Sequence, residues 1–490
     1  MRLNLKTLLA GGLLLAVLVA AVWIYLERAA SRAALEALPQ PDFTDVEPQV
    51  VQRIRELEEQ VRADPRSPEA WAELAMVLDI HDFKREAIPC YEQALALRPD
   101  EFRWQYFYTI ALSETGDARA GAAFERCLEL RGDYGPLFVL YGRWLFEGGR
   151  LEEAKRAFQR AQELGPQNPH VYVGLGRLAM AQGNLDESVE LLEQAVELAP
   201  QYREAHGLLA EAYRRLGQPE RSAAEMAVAQ RLPEIAPLAD PVYEELIQKG
   251  ISAFWYRERG LVYQAMGRLE QAVQEFQMAL QLKPDPKGHK YVADLLSQLG
   301  RPAEALPHYR QAAALNPRDL EAYVGVARAL LAIGRTDEAY MWLDKTLRLN
   351  PTYPEAYLGL SDYYLKKGQQ REAIAILYRG LRVTRGFMPI ALELAWLLAT
   401  SPDPALRNGI QALELAEATC KQLNYQNVRA LDVLAAAYAE NGRFQKAAEA
   451  ARKAVQLAQA NQPPELIQAI RNRLRLYENG RPFRGTSEIY

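Results

Sequence analysis

The chain is poor in the residues that build metal, redox and nucleophile sites. Its three cysteines, Cys90, Cys127 and Cys420, are odd in number, widely spaced and form no CxxC or CxxCH pair. That pattern argues against a disulfide framework, a zinc ligand set and covalent haem, and reads instead as small apolar core residues. The five histidines form no HxxxH or HExxH pair, so metal-ligand spacing is missing as well. No GxxxxGK[ST] and no GxSxG occurs, which leaves nucleotide binding and hydrolysis without their required loops. An excess of positive charge is also lacking. Fifty-eight basic side chains face sixty-three acidic ones, for a net charge of −5, and no global field attracts nucleic acid. No cofactor, metal, nucleic acid or small-molecule substrate is expected, and the chain reads as non-enzymatic.

What is present begins with one long apolar run. Residues 7–26, TLLAGGLLLAVLVAAVWIYL, carry no charge, and as a helix rising about 1.5 Å per residue they span roughly 30 Å, the thickness of a bilayer core. The run is longer than a signal-peptide core and ends in bulky residues rather than a small-residue cleavage site. The spacing therefore predicts a transmembrane anchor over residues 1–28 that touches the lipid bilayer through 7–26. Arg2 and Lys6 before the run and Arg28 and Arg32 after it give only a small orientation bias, which favours the amino terminus in the cytoplasm and the bulk of the chain outside.

The rest of the sequence repeats. VYVGLGRLAMAQGNLDESVELLEQAVELAP (171–200) and AYVGVARALLAIGRTDEAYMWLDKTLRLNP (322–351) place Tyr172 with Tyr323, Gly176 with Ala327, Gly183 with Gly334 and Pro200 with Pro351. The unit is 34 residues, as Pro166 to Pro200 and Pro317 to Pro351 both show. A large residue stands at the fourth position of a first helix (Trp71, Phe138, Tyr172, Tyr256, Tyr323, Tyr357), with His206 and His289 as polar substitutes. Four residues later comes a small one, where a paired helix must approach closely. A glycine then ends the helix in left-handed geometry, and a proline stops the second helix in many units.

These positions resemble the tetratricopeptide repeat (TPR) family, and shared elements resemble bacterial membrane-anchored members of it. The resemblance implies an all-α fold, a right-handed superhelical solenoid of about eleven helix-turn-helix repeats preceded by one transmembrane helix. Each unit alone cannot bury its apolar face, so stability comes from stacked neighbours. The resemblance further implies that ligands are held at the second, fifth, ninth and twelfth positions of the first helix. Those positions include Arg143, Arg177 and Arg328 at the ninth, Arg257 and Lys290 at the fifth, Arg214 and Phe146 at the twelfth, and Phe254 at the second. Guanidinium groups there suit carboxylates of a protein partner. The opposing reading pairs them with acids on the same face, such as Glu211 and Asp294. The family's full carboxylate-clamp set is absent.

The organisation expected is anchor 1–28, linker 29–46, amino-terminal capping helix 47–67, repeats one to five over 68–232, an insertion at 233–252, repeats six to eleven over 253–459, and a carboxy-terminal capping helix with a loose tail over 460–490. The capping helix predicts Val51, Ile54, Leu57 and Val61 on its buried face; the final one predicts Leu466, Ile470, Leu474 and Tyr477. The insertion follows from Pro200 and Pro284 lying 84 residues apart, sixteen more than two repeats. It reads as a tolerated loop with a short helix at Val242–Ile247, or as a hinge or partner-touching protrusion. A second interruption, 399–409, lengthens one turn. The stretch RWQYFYTI (103–110) belongs to the first helix of repeat two, with Trp104, Phe107, Tyr108 and Ala111 as core, Phe102, Gln105 and Thr109 as groove candidates, and Tyr106 off the main core face.

As a whole the sequence predicts a membrane-anchored scaffold whose groove binds proteins. It would assemble a membrane complex, or chaperone its exported subunits, from the periplasmic side of a cell inner membrane. The alternative is a cytoplasm-facing adaptor that recruits a regulatory or biosynthetic enzyme.

Overall fold

A computed structural model describes residues 38–230 and 240–485, together with Val22, Leu35, Glu36 and Leu232. The proposed anchor at 7–26 therefore lies outside the described residues, Val22 apart. Among the described residues no helix is long and apolar enough to cross a membrane. Twenty-five α-helices and one 3₁₀ turn account for the regular structure of those residues.

Twenty-two of the helices pair into eleven hairpins. The first five are Pro68–Ile80 with Lys84–Leu97, Phe102–Glu114 with Ala120–Leu130, Gly135–Glu147 with Leu151–Leu164, Pro169–Ala181 with Leu185–Leu198, and Arg203–Arg215 with Pro219–Ala229. After a short helix, Pro241–Ile247, come Ala253–Ala265 with Leu269–Leu282, Pro286–Gln298 with Pro302–Leu315, Leu320–Ala332 with Thr336–Leu349, Pro354–Lys366 with Gln370–Val383, Met388–Thr400 with Gly409–Gln422, and Val428–Glu440 with Phe444–Asn461. The hairpins fall into two compact units, Met1–Lys283 and Pro284–Tyr490, described separately below. This boundary lies one hairpin beyond the insertion.

Local chemistry explains each hairpin. Short polar side chains start many first helices: Asn168 Oδ1 accepts from the His170 amide at 3.0 Å and Asp319 Oδ1 from the Glu321 amide at 3.1 Å, which satisfies amides that the helix itself leaves open. At the turn, Gly183 adopts φ +83°, a conformation that a β-carbon disfavours. The large fourth residue does more than fill space. Tyr172 donates to the Pro166 carbonyl at 2.8 Å, Tyr323 to Pro317 at 3.1 Å and Tyr357 to Pro351 at 2.7 Å. Trp71 Nε1 reaches the Pro65 carbonyl at 3.0 Å, and His206 Nε2 lies 2.9 Å from that of Pro200. The aromatic and the proline six residues before it thus form one device, which ties a first helix to the end of the preceding unit. Close approach is equally specific: a β-carbon on Gly176 would meet Leu192 of its own hairpin at 2.8 Å, and one on Gly174 would meet Phe158 of the preceding hairpin at 2.3 Å.

In unit one the amino-terminal capping helix runs Pro48–Ala63 and buries Val50, Ile54, Leu57 and Val61. Val50, not Val51, begins the buried face, at 4-3-4 spacing with Ile54, Leu57 and Val61, and Val51 beside it is only partly covered. The linker is not a free spacer at its end: Phe43 meets the Phe83 ring at 5.9 Å, and Leu35, Leu38 and Val46 pack on the same core. Hairpin two has its register displaced by one residue relative to the expected alignment. Its helix begins after Glu101, so Gln105 takes the fourth position and Thr109 the eighth. Both are buried, Gln105 donating to the Ala123 carbonyl at 3.5 Å and Thr109 to the Gln105 carbonyl at 2.7 Å. They are not groove residues. The same shift moves Arg103, Tyr106 and Ile110 to the second, fifth and ninth positions.

In unit two the final helix, Pro464–Glu478, buries Leu466, Ala469, Ile470, Arg473 and Tyr477; Leu474 is only partly covered. The tail through residue 485 is not loose. Phe483 lies 5.7 Å from the Trp396 ring, Arg484 pairs with Glu440 at 2.6 Å, and the Gly485 amide donates to the Thr400 carbonyl at 2.9 Å. The long turn at 401–408 is held by Arg407, which donates to the Ser401 carbonyl at 2.9 Å and to Glu440 at 3.0 Å.

Candidate protein-binding faces

The first helices of successive hairpins line one face of each unit. Its character follows from the ninth position. Along hairpins one to five of unit one the residues are Met76, Ile110, Arg143, Arg177 and Glu211; along hairpins seven to nine of unit two they are Asp294, Arg328 and Asp362. The first two are apolar, which on a solvent-facing surface would leave a bare patch. In the structure both are 4% exposed, because the inserted segment covers them.

Residues 240–252 lie across the first helices of hairpins one and two. Asp240 caps the short helix, its Oδ1 accepting from the amides of Val242 at 3.1 Å and Tyr243 at 3.0 Å. The same carboxylate accepts from two hydroxyls of the repeat array: Tyr106 at 2.6 Å and Tyr134. Glu245 pairs with Arg103 at 3.2 Å and Lys249 with Glu73 at 2.6 Å. Leu246 and Ile247 are buried in the core of the first hairpins. The Ile251 amide donates to His81 Nε2 at 3.1 Å while His81 Nδ1 lies 2.8 Å from the Val77 carbonyl. These two partners require neutral imidazole with the proton on Nδ1. Burial lowers the pKa of His81 in the same sense.

The segment is then clamped from its far side. Arg259, itself buried, donates to the carbonyls of Ile247 at 3.1 Å and Gly250 at 2.6 Å and pairs with Glu275 at 2.9 Å. Trp255 Nε1 reaches the Ile80 carbonyl at 2.6 Å, and the Ala253 amide reaches Glu47 at 3.0 Å. Residues 240–252 of the insertion are therefore a strap on the inner face, neither slack nor protruding. Tyr106, off the core face in the sequence reading, is 1% exposed and is one of the strap's anchors.

The candidate groove residues fall into distinct settings. In unit one, Arg143 is exposed and has no salt bridge among the described residues; it lies within electrostatic reach of Tyr202 and of Tyr243 on the strap. Phe146 is partly buried against the core of hairpins three to five. Arg177 pairs with Glu204 at 2.6 Å, and Arg214 forks onto Glu211 at 2.6 and 2.7 Å. Arg177, Glu204, Arg203, Leu208 and Met226 line an open cavity of about 450 Å³. Phe254 is exposed, with the Arg257 guanidinium 5.4 Å over its ring, and Arg257 also pairs with Glu258 at 3.0 Å.

In unit two, Lys290 pairs with Glu321. Arg328 is exposed, has no salt bridge among the described residues, and acts electrostatically on Asp294, Tyr353 and Asp362. Asp294 accepts from Tyr309 at 2.6 Å, and Arg429 pairs with Glu393 at 2.7 Å. Burial raises the pKa of Asp294, Asp362 and Glu393 against the lowering effect of these cations. Most of the basic candidates are thus met by acids of the same face, and Arg143 and Arg328 stand apart. No group of three or more metal-ligating side chains occurs among the described residues. Burial pushes the three thiols up, Cys127 and Cys420 to about 12, so at neutral pH they remain un-ionised and poorly nucleophilic.

Among solved structures, yeast Tom70 is similar over 84% of this chain and 96% of its own, at 14% identity and a TM-score of 0.41. A subunit of the Cut9–Hcn1 hetero-tetramer of the APC/C matches over 84% of this chain and 98% of its own, at 13% identity and 0.37. YrrB, described as a TPR protein with an unusual peptide-binding site, matches over 48% and 95%, at 18% identity and 0.24. No curated protein matches the sequence. Family models described as tetratricopeptide repeat match residues 145–196, 173–240, 256–286, 293–354, 354–386 and 428–461. With the hairpins, the aromatic-to-proline ties and the glycine turns in place, the chain belongs to the tetratricopeptide repeat family.

Proposed function

We propose that this protein is a non-enzymatic scaffold that binds partner proteins on the inner faces of its hairpins. The observation that carries the reading is the strap. In unit one, an inner face built by first helices holds a short helix through a capping aspartate, two ion pairs and two buried apolar side chains. Those are the interactions by which helical segments of partners dock into grooves. Arg143 and Arg177 extend that face past the strap, and Arg328 marks the corresponding face of unit two. Partners with carboxylates presented for bidentate pairing suit these guanidiniums.

The apolar run 7–26 supports attachment to a membrane, and its length is the argument. On the modest charge bias around it, the hairpins face the periplasm, where the scaffold assembles or stabilises a membrane-associated complex or chaperones its exported subunits. A reporter fused after Tyr490 checks the orientation: activity only on the outer side agrees, and activity only in the cytoplasm reverses it. The binding face is tested by chemical crosslinking and mass spectrometry of the full chain in its membrane, repeated with Arg143→Glu, Arg177→Glu and Arg328→Glu. Crosslinks to partners from the inner faces, reduced at least about tenfold by the reversals, are expected. Unchanged crosslinks confined to second helices would place the binding surface elsewhere.

A further inference from the structure

The strap has a composition that ordinary connecting loops lack. Its described part, DPVYEELIQKGIS (240–252), begins with a capping aspartate and a proline, carries an aromatic and two acids in its short helix, and ends the helix on two aliphatics. The aspartate, the aromatic, one of the two acids and both aliphatics meet matching groups on the hairpins of unit one. The aspartate takes the Tyr106 and Tyr134 hydroxyls, Glu245 takes Arg103, and Leu246 and Ile247 enter the core beside Met76 and Ile110. Tyr243 is partly buried within electrostatic reach of Asp79, Lys84 and Glu114. The receiving positions are the second, fifth and ninth of hairpin two, the ninth of hairpin one and Tyr134, which precedes the first helix of hairpin three. A surface that reads charge, aromatic and aliphatic features in fixed order at these positions is a recognition groove, and the chain supplies its own occupant.

We propose that the inner face of hairpins one to three is a recognition site for a partner helix that starts Asp-Pro and carries an aromatic residue and acids in its first turns. In the free protein it is closed in cis by residues 240–252, and a partner helix of that chemistry enters by exchange. This rests on the inner faces being the protein-binding surfaces. The observations favour exchange over a permanent brace. Within the strap's short helix only Leu246 and Ile247 are fully buried, and the Arg103–Glu245 pair remains about two-fifths exposed, so opening breaks those two side chains' packing, the Asp240–tyrosine bonds and the Arg259 clamp, and leaves the helix pairing of the hairpins intact. Tethering gives the strap an effective concentration in the millimolar range, which a free helix must overcome, and apparent affinity falls with the fraction of open groove.

The test uses the full chain and a fluorescently labelled peptide of residues 240–252. The wild-type chain is expected to bind it at least about a hundredfold more weakly than a strap-released variant carrying Asp240→Asn, Leu246→Ala and Ile247→Ala. In the released background, Tyr106→Phe with Tyr134→Phe is expected to weaken the peptide at least tenfold. A released variant that keeps its melting profile and binds no peptide would overturn the proposal. Should that variant fail to fold, hydrogen exchange on the wild-type chain decides. Amides of Val242, Tyr243 and Ile251 exchanging far faster than those of the core helix Pro169–Ala181 support local opening, and equal rates make the strap a brace. Partner crosslinks at Arg143, Arg177 and Arg328 are read separately, so loss of this proposal leaves the scaffold reading standing.

Discussion

Two inner faces of the same repeat type satisfy their polar groups in opposite ways. On hairpins one and two the ninth positions are Met76 and Ile110, and a segment from outside the repeat covers them and supplies the partners for Tyr106 and Arg103. On hairpins seven to nine the ninth positions are Asp294, Arg328 and Asp362, and cations of the repeat array itself, Lys290 and Lys366 on the same helices with Arg328 and Arg429 beyond them, face the acids. The difference teaches that one scaffold geometry accepts either a dry interface or an open charged one, and that the residue at a single register position decides which. A third arrangement closes unit two. Asp432, at the fifth position of the last hairpin, is forked by Arg473 of the final helix at 2.5 and 3.0 Å, with both side chains nearly inaccessible.

The largest effect expected from breaking this contrast is at that closed end. Arg473→Met leaves the Asp432 carboxylate buried without its main partner and should destabilise unit two by about 3–5 kcal/mol. Adding Asp432→Leu should recover most of the loss, as measured by chemical denaturation. Next is the strap: Asp240→Ala strands the buried Tyr106 hydroxyl and should cost unit one about 1–3 kcal/mol while leaving unit two unchanged. Proteolysis resolved by fragment separates the two units.

A smaller effect concerns pH. The Ile251 amide, which needs a lone pair on Nε2, holds His81 neutral; burial is the largest effect and lowers its pKa, the Val77 carbonyl, Asp82 and Glu47 favour protonation, and Arg259 opposes it, for a net downward shift. An unfolded histidine titrates near 6.5, so the strap contact is fully present above that value. It weakens as pH falls from 6.5 toward the lowered folded value, because the unfolded or undocked state binds the proton first. Exchange of the Ile251 amide, corrected for its intrinsic pH dependence, should rise several-fold between pH 7 and pH 5. His289 and His308, whose Nδ1 atoms lie 3.1 Å apart in unit two and whose pKa values burial also lowers, weaken that unit in the same direction, which is why a local amide and not a melting temperature is the readout.

Much of this architecture was legible from spacing. Tyr172, Gly176 and Gly183 state the hairpin without any structure, since each residue type answers one steric demand. The hydrogen bond from the fourth-position ring to the proline carbonyl was not legible, although the constant six-residue separation of Trp71 from Pro65, or Tyr357 from Pro351, was its trace. The destination of the insertion was hidden for a different reason: its contacts join residues more than a hundred positions apart. One signal did exist. With hairpin two correctly registered from Gly116, the apolar ninth positions Met76 and Ile110 and the lone Tyr106 mark a face that some other segment must cover. The groove arginines show the limit of transfer by position, because Arg177 and Arg214 already hold Glu204 and Glu211.

The central claim is that the chain's own residues 240–252 occupy the inner face of its first hairpins. A short bifunctional thiol reagent applied to the full chain with Arg103→Cys and Glu245→Cys tests it most directly, since the native thiols are buried. Near-complete intramolecular crosslinking, abolished when Leu246 and Ile247 are changed to Ala, is the result expected. Absence of the crosslink in a folded protein, with both introduced thiols free to react with a monofunctional reagent, would contradict it.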